Sequence, residues 1–180
     1  MDFEQQFSPE NATFSIRRDA NGQAVEHKQR DIYDSHRHRV FALAFYMTGN
    51  ELEAERVLAQ TFIDAFRAMR EPDSRGVDQA LLQQLRRRFA IGEPEAASRP
   101  SKDAYLGQRN LRRTDLEEAI QYLPSTERLV FLLTDVEGYS AEAIADLLNM
   151  PKSDVLRALL SARIRMRQVI AEAVQPDIAA

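Results

Sequence analysis

Six side chains near the end of the chain, Lys152, Ser153, Arg157, Ser161, Arg163 and Arg165, combine cations and hydroxyls at helical spacing. Groups of these types bind phosphate oxygens by charge and by hydrogen bonding, and so position a protein on a nucleic-acid backbone. A second run, Arg86, Arg87 and Arg88, suits phosphate in the same way, although three adjacent cations are equally well explained as a solvated helix face. Little else suggests bond-making chemistry. There is no cysteine, which removes thiol nucleophiles, disulfides and zinc–thiolate sites. No glycine-rich phosphate loop and no nucleophile–base pairing can be read, so an enzyme is not expected. Of the three histidines, His36 and His38 stand two residues apart on different sides of a helix, and no metal or cofactor is expected.

The elements that must position these groups read as all-α. Apolar residues at Val40, Leu43, Ala44 and Met47 predict a helix from about residue 30 to 47, ended by Gly49-Asn50. Leu58, Phe62, Ala65 and Met69 align in a second helix from about residue 51 to 69, and a third is expected over 77–90. Phe41, Phe45, Phe62 and Phe66 fall at helical spacing and read as core. Residues 92–113 have the composition of a linker. Beyond it, Thr114 with Glu117 has the form of a capping box, Ser125 opens a helix containing Leu129 to Leu133, and Gly138 ends it. Ser140 caps the next helix, with Ile144, Leu147 and Leu148 inward, and Asn149 closes it in the left-handed conformation. Ser153 is expected to cap the last helix. The domain reading is an N-terminal arm over 1–29, a helical domain over 30–91, the linker, and a helix-turn-helix domain over 114–175.

The last helix carries two apolar rows where one would suffice. Val155, Leu159, Ala162 and Met166 recur at i, i+4, i+7 and i+11, the packing face of an amphipathic helix. Leu156, Leu160 and Ile164 form a second row, turned towards the side a helix normally leaves wet. Burying each is worth about 1.5–3 kcal/mol, so the row calls for cover, either within the monomer or by a partner protein.

Charge adds a second oddity. Residues 67–114 carry 11 basic and 6 acidic groups, whereas residues 115–180 carry 6 and 11. A DNA-binding domain is usually the basic part of its chain, yet the helix-turn-helix here lies in an acidic part. With 44% hydrophobic and 29% charged residues, the chain can bury a core and keep a soluble surface. No apolar run approaches a membrane span, and residues 1–30 are acidic and polar rather than signal-like, so a cytoplasmic protein without membrane contact is expected.

Leu123-Pro124, the run from Glu127 to Leu133, and Val136-Glu137-Gly138-Tyr139-Ser140 resemble region 4 of bacterial RNA polymerase sigma factors, most of all the extracytoplasmic-function (ECF) group. Glu142, Ile144-Ala145, Val155, Leu159 and Ala162-Arg163 continue the resemblance. In the first half, Tyr33, Arg39-Val40, Leu43-Ala44, Thr48-Gly49, Ala54-Glu55, Thr61-Phe62 and Ala65-Phe66-Arg67 resemble region 2. The two regions occur in the family's order over roughly residues 30–170. The resemblance implies two small helical domains and a subunit that binds RNA polymerase core and directs it to promoter DNA. It further implies that region 2 grips the polymerase clamp and melts the minus-ten element, while region 4 reads the minus-thirty-five element in the major groove.

On this chain the resemblance implies polymerase contacts at Glu55, Arg56 and Gln60, and DNA contacts at the cations and serines named above. Several positions depart from the family's pattern. Leu156, Leu160 and Ile164 stand where basic or histidine side chains are usual, Ala158 where another basic residue is usual, Arg56 where an acid is usual, and Leu81 where a tryptophan is usual. The alternative is therefore a sigma-derived interaction module without promoter recognition. Such a module would use Leu156, Leu160 and Ile164 as a protein interface, for an anti-sigma factor, a polymerase or self-association.

Overall fold

Asn50 sets the first corner of the chain. Its side chain accepts a hydrogen bond from the Glu53 N–H at 3.1 Å, satisfying a donor that the start of a helix would otherwise leave orphaned. Before it, Gly49 takes φ +67°, a left-handed conformation that glycine adopts without penalty. The corner joins α1 (Pro9–Thr48) to α2 (Glu51–Ala68). Asp73 then caps α3 (Ser74–Arg86), accepting from the Gly76 N–H at 2.8 Å. After α4 (Arg113–Gln121), helix α5 (Ser125–Phe131) runs on through a π-helical turn at Leu132–Val136, and α6 (Ala141–Leu148) and α7 (Lys152–Val174) follow. This computed structural model describes the backbone of residues 9–69, 71–93 and 113–174, and the side chains of 22–69, 71–93 and 116–170. All regular structure among them is helical.

One buried apolar cluster runs through both halves. Val40, Leu43 and Met47 of α1 join Val57 and Phe62 of α2 and Leu81 and Leu85 of α3. The same cluster continues into Leu129 and Leu132, Ile144, and Val155 and Met166 of α7. The four phenylalanines read as core lie in it or pack against it, Phe62 fully and the others half-buried. Met69 departs from its expected inward position and is 52% exposed, because α2 ends at Ala68.

Several helix starts differ from the sequence reading. Helix α1 begins at Pro9, so much of the expected arm is helical. Asn21-Gly22 reads as a break, but an interior glycine costs a helix only about 1 kcal/mol, and proline suits a first turn. Ser125 is the first residue of α5, with Pro124 at the cap, and Ser153 lies inside α7, whose first turn closes on the Pro151 carbonyl. Thr114 likewise lies within α4. The third helix starts three residues earlier than expected, at its Asp73 cap. Most of the expected linker, residues 94–112, lies outside the described residues.

The two halves meet at the C-terminal end of α1. A helix end leaves its last carbonyls without intrahelical donors and carries partial negative charge. Here Gln121 Nε2 donates to the Tyr46 carbonyl at 2.7 Å and Arg128 Nη1 to the Met47 carbonyl at 2.7 Å. The same guanidinium holds Gln121 Oε1 and the Leu123 carbonyl, each at 2.9 Å, and also the Gln121 carbonyl. Gly49 is needed for space as well as conformation, since a Cβ there would lie 2.9 Å from Gln121 Oε1.

Arg128→Met should therefore strand buried carbonyls from both halves. Urea unfolding is expected to show a loss of about 3–5 kcal/mol for Arg128→Met, and about 1–2 kcal/mol for Gln121→Ala. A loss under about 1 kcal/mol for Arg128→Met would show that this cap is not what joins the halves.

Candidate nucleic-acid interface

Helices α6 and α7 form the expected helix-turn-helix, and its turn follows from local chemistry. Ser140 Oγ accepts from the Ala143 N–H at 3.2 Å, opening α6. Asn149 closes it at φ 52°, in the left-handed region that asparagine tolerates. The Met150 N–H reaches back to the Ala145 carbonyl at 3.0 Å, the 6→1 bond of a Schellman ending. Pro151 follows and starts the new direction. On α7, Val155, Leu159, Ala162 and Met166 are all buried, as the first apolar row requires. Leu156, Leu160 and Ile164 are exposed by 47%, 61% and 47%. Nothing among the described residues covers the second row.

The six predicted phosphate-binding residues of α7 fall into two sets. Lys152 pairs with Glu142 of α6, and Arg157 with Asp154 at 3.2 Å, both at exposed positions. Exposed pairs of this kind are worth about 0–1 kcal/mol and exchange readily for a phosphate. The Lys152 ammonium nevertheless holds Glu142 below the usual carboxylate range by its hydrogen bond. Ser153 is exposed in the same turn. The later residues are held by acids of α5 and its extension. Ser161 donates to Glu127 Oε1 at 2.8 Å, Arg165 Nε meets Glu127 Oε2 at 2.9 Å, and Arg163 grips Asp135 through two contacts of 3.0 and 2.5 Å. Glu127 and Asp135 come from α5 and its π-helical extension, so these bonds fasten α7 to its own half.

The first half shows a similar division. Asp64 of α2 gathers Gln60 at 2.8 Å and Gln84 at 2.6 Å, with Arg87 at 3.6 Å and Arg67 at 3.7 Å. The Gln60 hydrogen bond, opposed by burial and reinforced by Gln84 and the two arginines, holds this carboxyl below its ordinary range. Arg88 donates to the carbonyl and side chain of Gln84 at 3.0 and 3.1 Å. Arg86 leaves the cluster and donates to the Leu148 carbonyl at 2.6 Å, capping the C-terminal end of α6. Glu55 is exposed on α2, and exposed Arg56 pairs with Glu53 one turn earlier. Leu81, at the tryptophan-like position, is 3% exposed and belongs to the core.

A polar cluster that the sequence reading did not find bridges α1, α3 and the turn before α6. Arg39 pairs with Asp78 and donates to Tyr139 Oη at 3.1 Å, while the Tyr139 hydroxyl donates to Asp78 Oδ2 at 2.6 Å. Burial, and then the hydrogen bond and charge of Asp78, push the Tyr139 hydroxyl up to about 12. The sequence signal was an acid at position 78 among the inward residues Val77, Leu81, Leu82 and Leu85. Among the described residues there is no cluster of three or more metal-ligating side chains, and no helix long and apolar enough to cross a membrane.

Residues 113–166 match the family described as Sigma-70, region 4. Over 170 residues the chain is 29% identical to the ECF RNA polymerase sigma factor SigE of Mycolicibacterium smegmatis, covering 86% of this chain and 66% of that protein. A solved structure of similar fold is the sigma factor RpoE from Bartonella quintana, crystallised in complex with the anti-sigma factor NepR. It aligns with a TM-score of 0.58 at 16% identity, over 79% of this chain and 98% of that one.

The Tyr139 cluster sets a pH dependence. An unfolded tyrosine ionises near pH 10, before the folded one does, so the unfolded state binds fewer protons above that pH. The contribution of Tyr139 to stability is expected in full below pH 10 and lost as pH rises through about 12. Comparing urea unfolding of the native chain and Tyr139→Phe from pH 7 to 12 checks this, since the difference between them should shrink only at the alkaline end. A difference that shrinks between pH 6 and 9 would contradict it.

Proposed function

We propose that this chain is a sigma factor of the ECF group, which binds RNA polymerase core and directs it to promoter DNA. The observation that carries this reading is the capped turn between α6 and α7. It presents the first turns of α7, with Lys152, Ser153 and Arg157, to solvent on an exposed face. The N-terminal part of a recognition helix is the part that reaches into a major groove. Of the predicted contacts, Lys152, Ser153 and Arg157 form the DNA-binding set, while Ser161, Arg163 and Arg165 are structural. Glu55 and Arg56 on the exposed face of α2 are the polymerase contacts, with Gln60 oriented by Asp64. The role is binding and positioning, without bond-making chemistry of its own.

Two measurements test this. In run-off transcription with purified core polymerase, the chain should yield promoter-specific transcripts, and the double variant Lys152→Ala, Arg157→Ala should lose them. For duplex binding, each lost phosphate contact should flatten the slope of log K against log salt by roughly 0.9. No capture of core polymerase in a pull-down would sink the reading.

A second activity is favoured by the exposure of Leu156, Leu160 and Ile164. An apolar row on the outer face of the reading helix suits a protein partner, either an antagonist or a second copy. The similar RpoE was crystallised with an anti-sigma factor. Leu160→Lys is expected to disrupt a protein contact more than it improves DNA binding. Analytical ultracentrifugation together with a duplex titration tests this, and a gain in DNA affinity with unchanged assembly state would contradict it.

A further inference from the structure

The outer surface of α7 is edged by cations and apolar along its middle. At about 100° per residue, Lys152 and Arg157 lie about 140° apart around the helix. Between their directions fall Leu156, Leu160 and Ile164, all exposed, with exposed Ser153 and Arg167 interleaved. No acid of α7 falls within that arc. Asp154, which pairs with Arg157, points about 60° beyond it.

A surface edged by cations and free of its own acids complements a polyanion. When such a helix lies in a major groove, the cations at its edges meet phosphates on the groove walls, and the strip between them faces the base edges. Those edges are polar except for one group, the C5 methyl of thymine. Leucine offers no hydrogen bond, so over a G·C pair it would cover donors and acceptors and leave them unpaired. Over thymine it gains apolar contact with the methyl. The spacing also fits. Leu156 and Leu160 stand about 6 Å apart along the helix axis at about 1.5 Å per residue, close to two base steps of about 3.4 Å. Each can therefore meet a methyl on a separate base pair.

We infer that Leu156 and Leu160 read thymine methyl groups, so that the DNA element bound by α7 carries thymines at its centre. Ile164 extends the same strip by one turn. A basic or histidine side chain at these positions would instead hydrogen-bond to base edges or phosphates. This inference rests on the promoter-binding role proposed above and gives that role its sequence chemistry.

The test uses the full chain bound to core polymerase and a pool of duplexes with a randomised segment. Selection should recover a thymine-containing element. In the recovered duplex, thymines are replaced one at a time by deoxyuridine, which removes the methyl and nothing else. At the positions under Leu156 and Leu160, each replacement should weaken binding about three- to fourfold. The double variant Leu156→Ala, Leu160→Ala should bind thymine and deoxyuridine duplexes alike; both leucines are exposed, so their truncation spares the core. Lys152→Ala should weaken binding to both duplexes equally and keep the difference between them.

The inference is overturned if the recovered duplex tolerates every replacement, or if the leucine double variant keeps the native preference for thymine. It is also overturned if that variant alters only the assembly state in ultracentrifugation, which would assign the row to a second copy of the chain. In each of these cases sequence-specific binding by the polymerase complex leaves the sigma reading standing. If the chain captures no core polymerase, that reading fails and this inference falls with it.

Discussion

The C-terminal end of α1 needs hydrogen-bond donors that its own half does not supply. Its last carbonyls are turned inward beneath the second half, where an unpaired carbonyl costs about 1–3 kcal/mol. Arg128 meets that need with one buried guanidinium spanning Met47, Gln121 and Leu123, and so fixes where α4 and α5 sit relative to α1. The placement of α5 sets that of α7, because Glu127 and Asp135, on the same continuous helix as Arg128, take hold of Ser161, Arg163 and Arg165. The attitude of α7 is thus inherited from a cap whose arginine, Arg128, lies 24 residues before the helix begins.

That inheritance explains how the cations of α7 are divided. The second half is acidic overall, and an acidic half would repel a phosphate backbone if its carboxylates faced it. Asp135 and Glu127 are instead neutralised by Arg163 and Arg165 of α7. Lys152 and Arg157, paired only with exposed acids, keep charge that a stronger anion can claim. Net charge summed over the half conceals this arrangement, because Arg163 and Arg165 are matched to acids of α5 and its extension while Lys152 and Arg157 pair only with acids near the turn.

Apolar periodicity made the helices and the packing faces legible, including the whole row from Val155 to Met166. It could not find roughly the first six turns of α1, from Pro9 to about residue 29, which have no apolar face to follow. Cap residues were legible at Ser140 and Asn149, where side chain and turn agree, whereas Asn50 was read only as a break. They misled at Ser125 and Ser153, where a preceding proline, or its carbonyl, makes the turn. The ion-pair partners of the α7 cations were not legible, for a different reason. Nothing local distinguishes Arg157 from Arg163, whose partner Asp135 lies 28 residues away and is brought close only by the fold. The Arg39–Asp78–Tyr139 triad was hidden in the same way, though the isolated acid in the inward face of α3 was its visible trace.

The second apolar row constrains function through position alone. At about 100° per residue, Leu156 and Leu160 fall between the directions of Lys152 and Arg157 on the outer face of α7. A protein that covers the row must therefore lie over the same cations that would meet DNA phosphates. A duplex seated on those cations must in turn press against the row. Two such ligands would therefore exclude each other without any change in conformation.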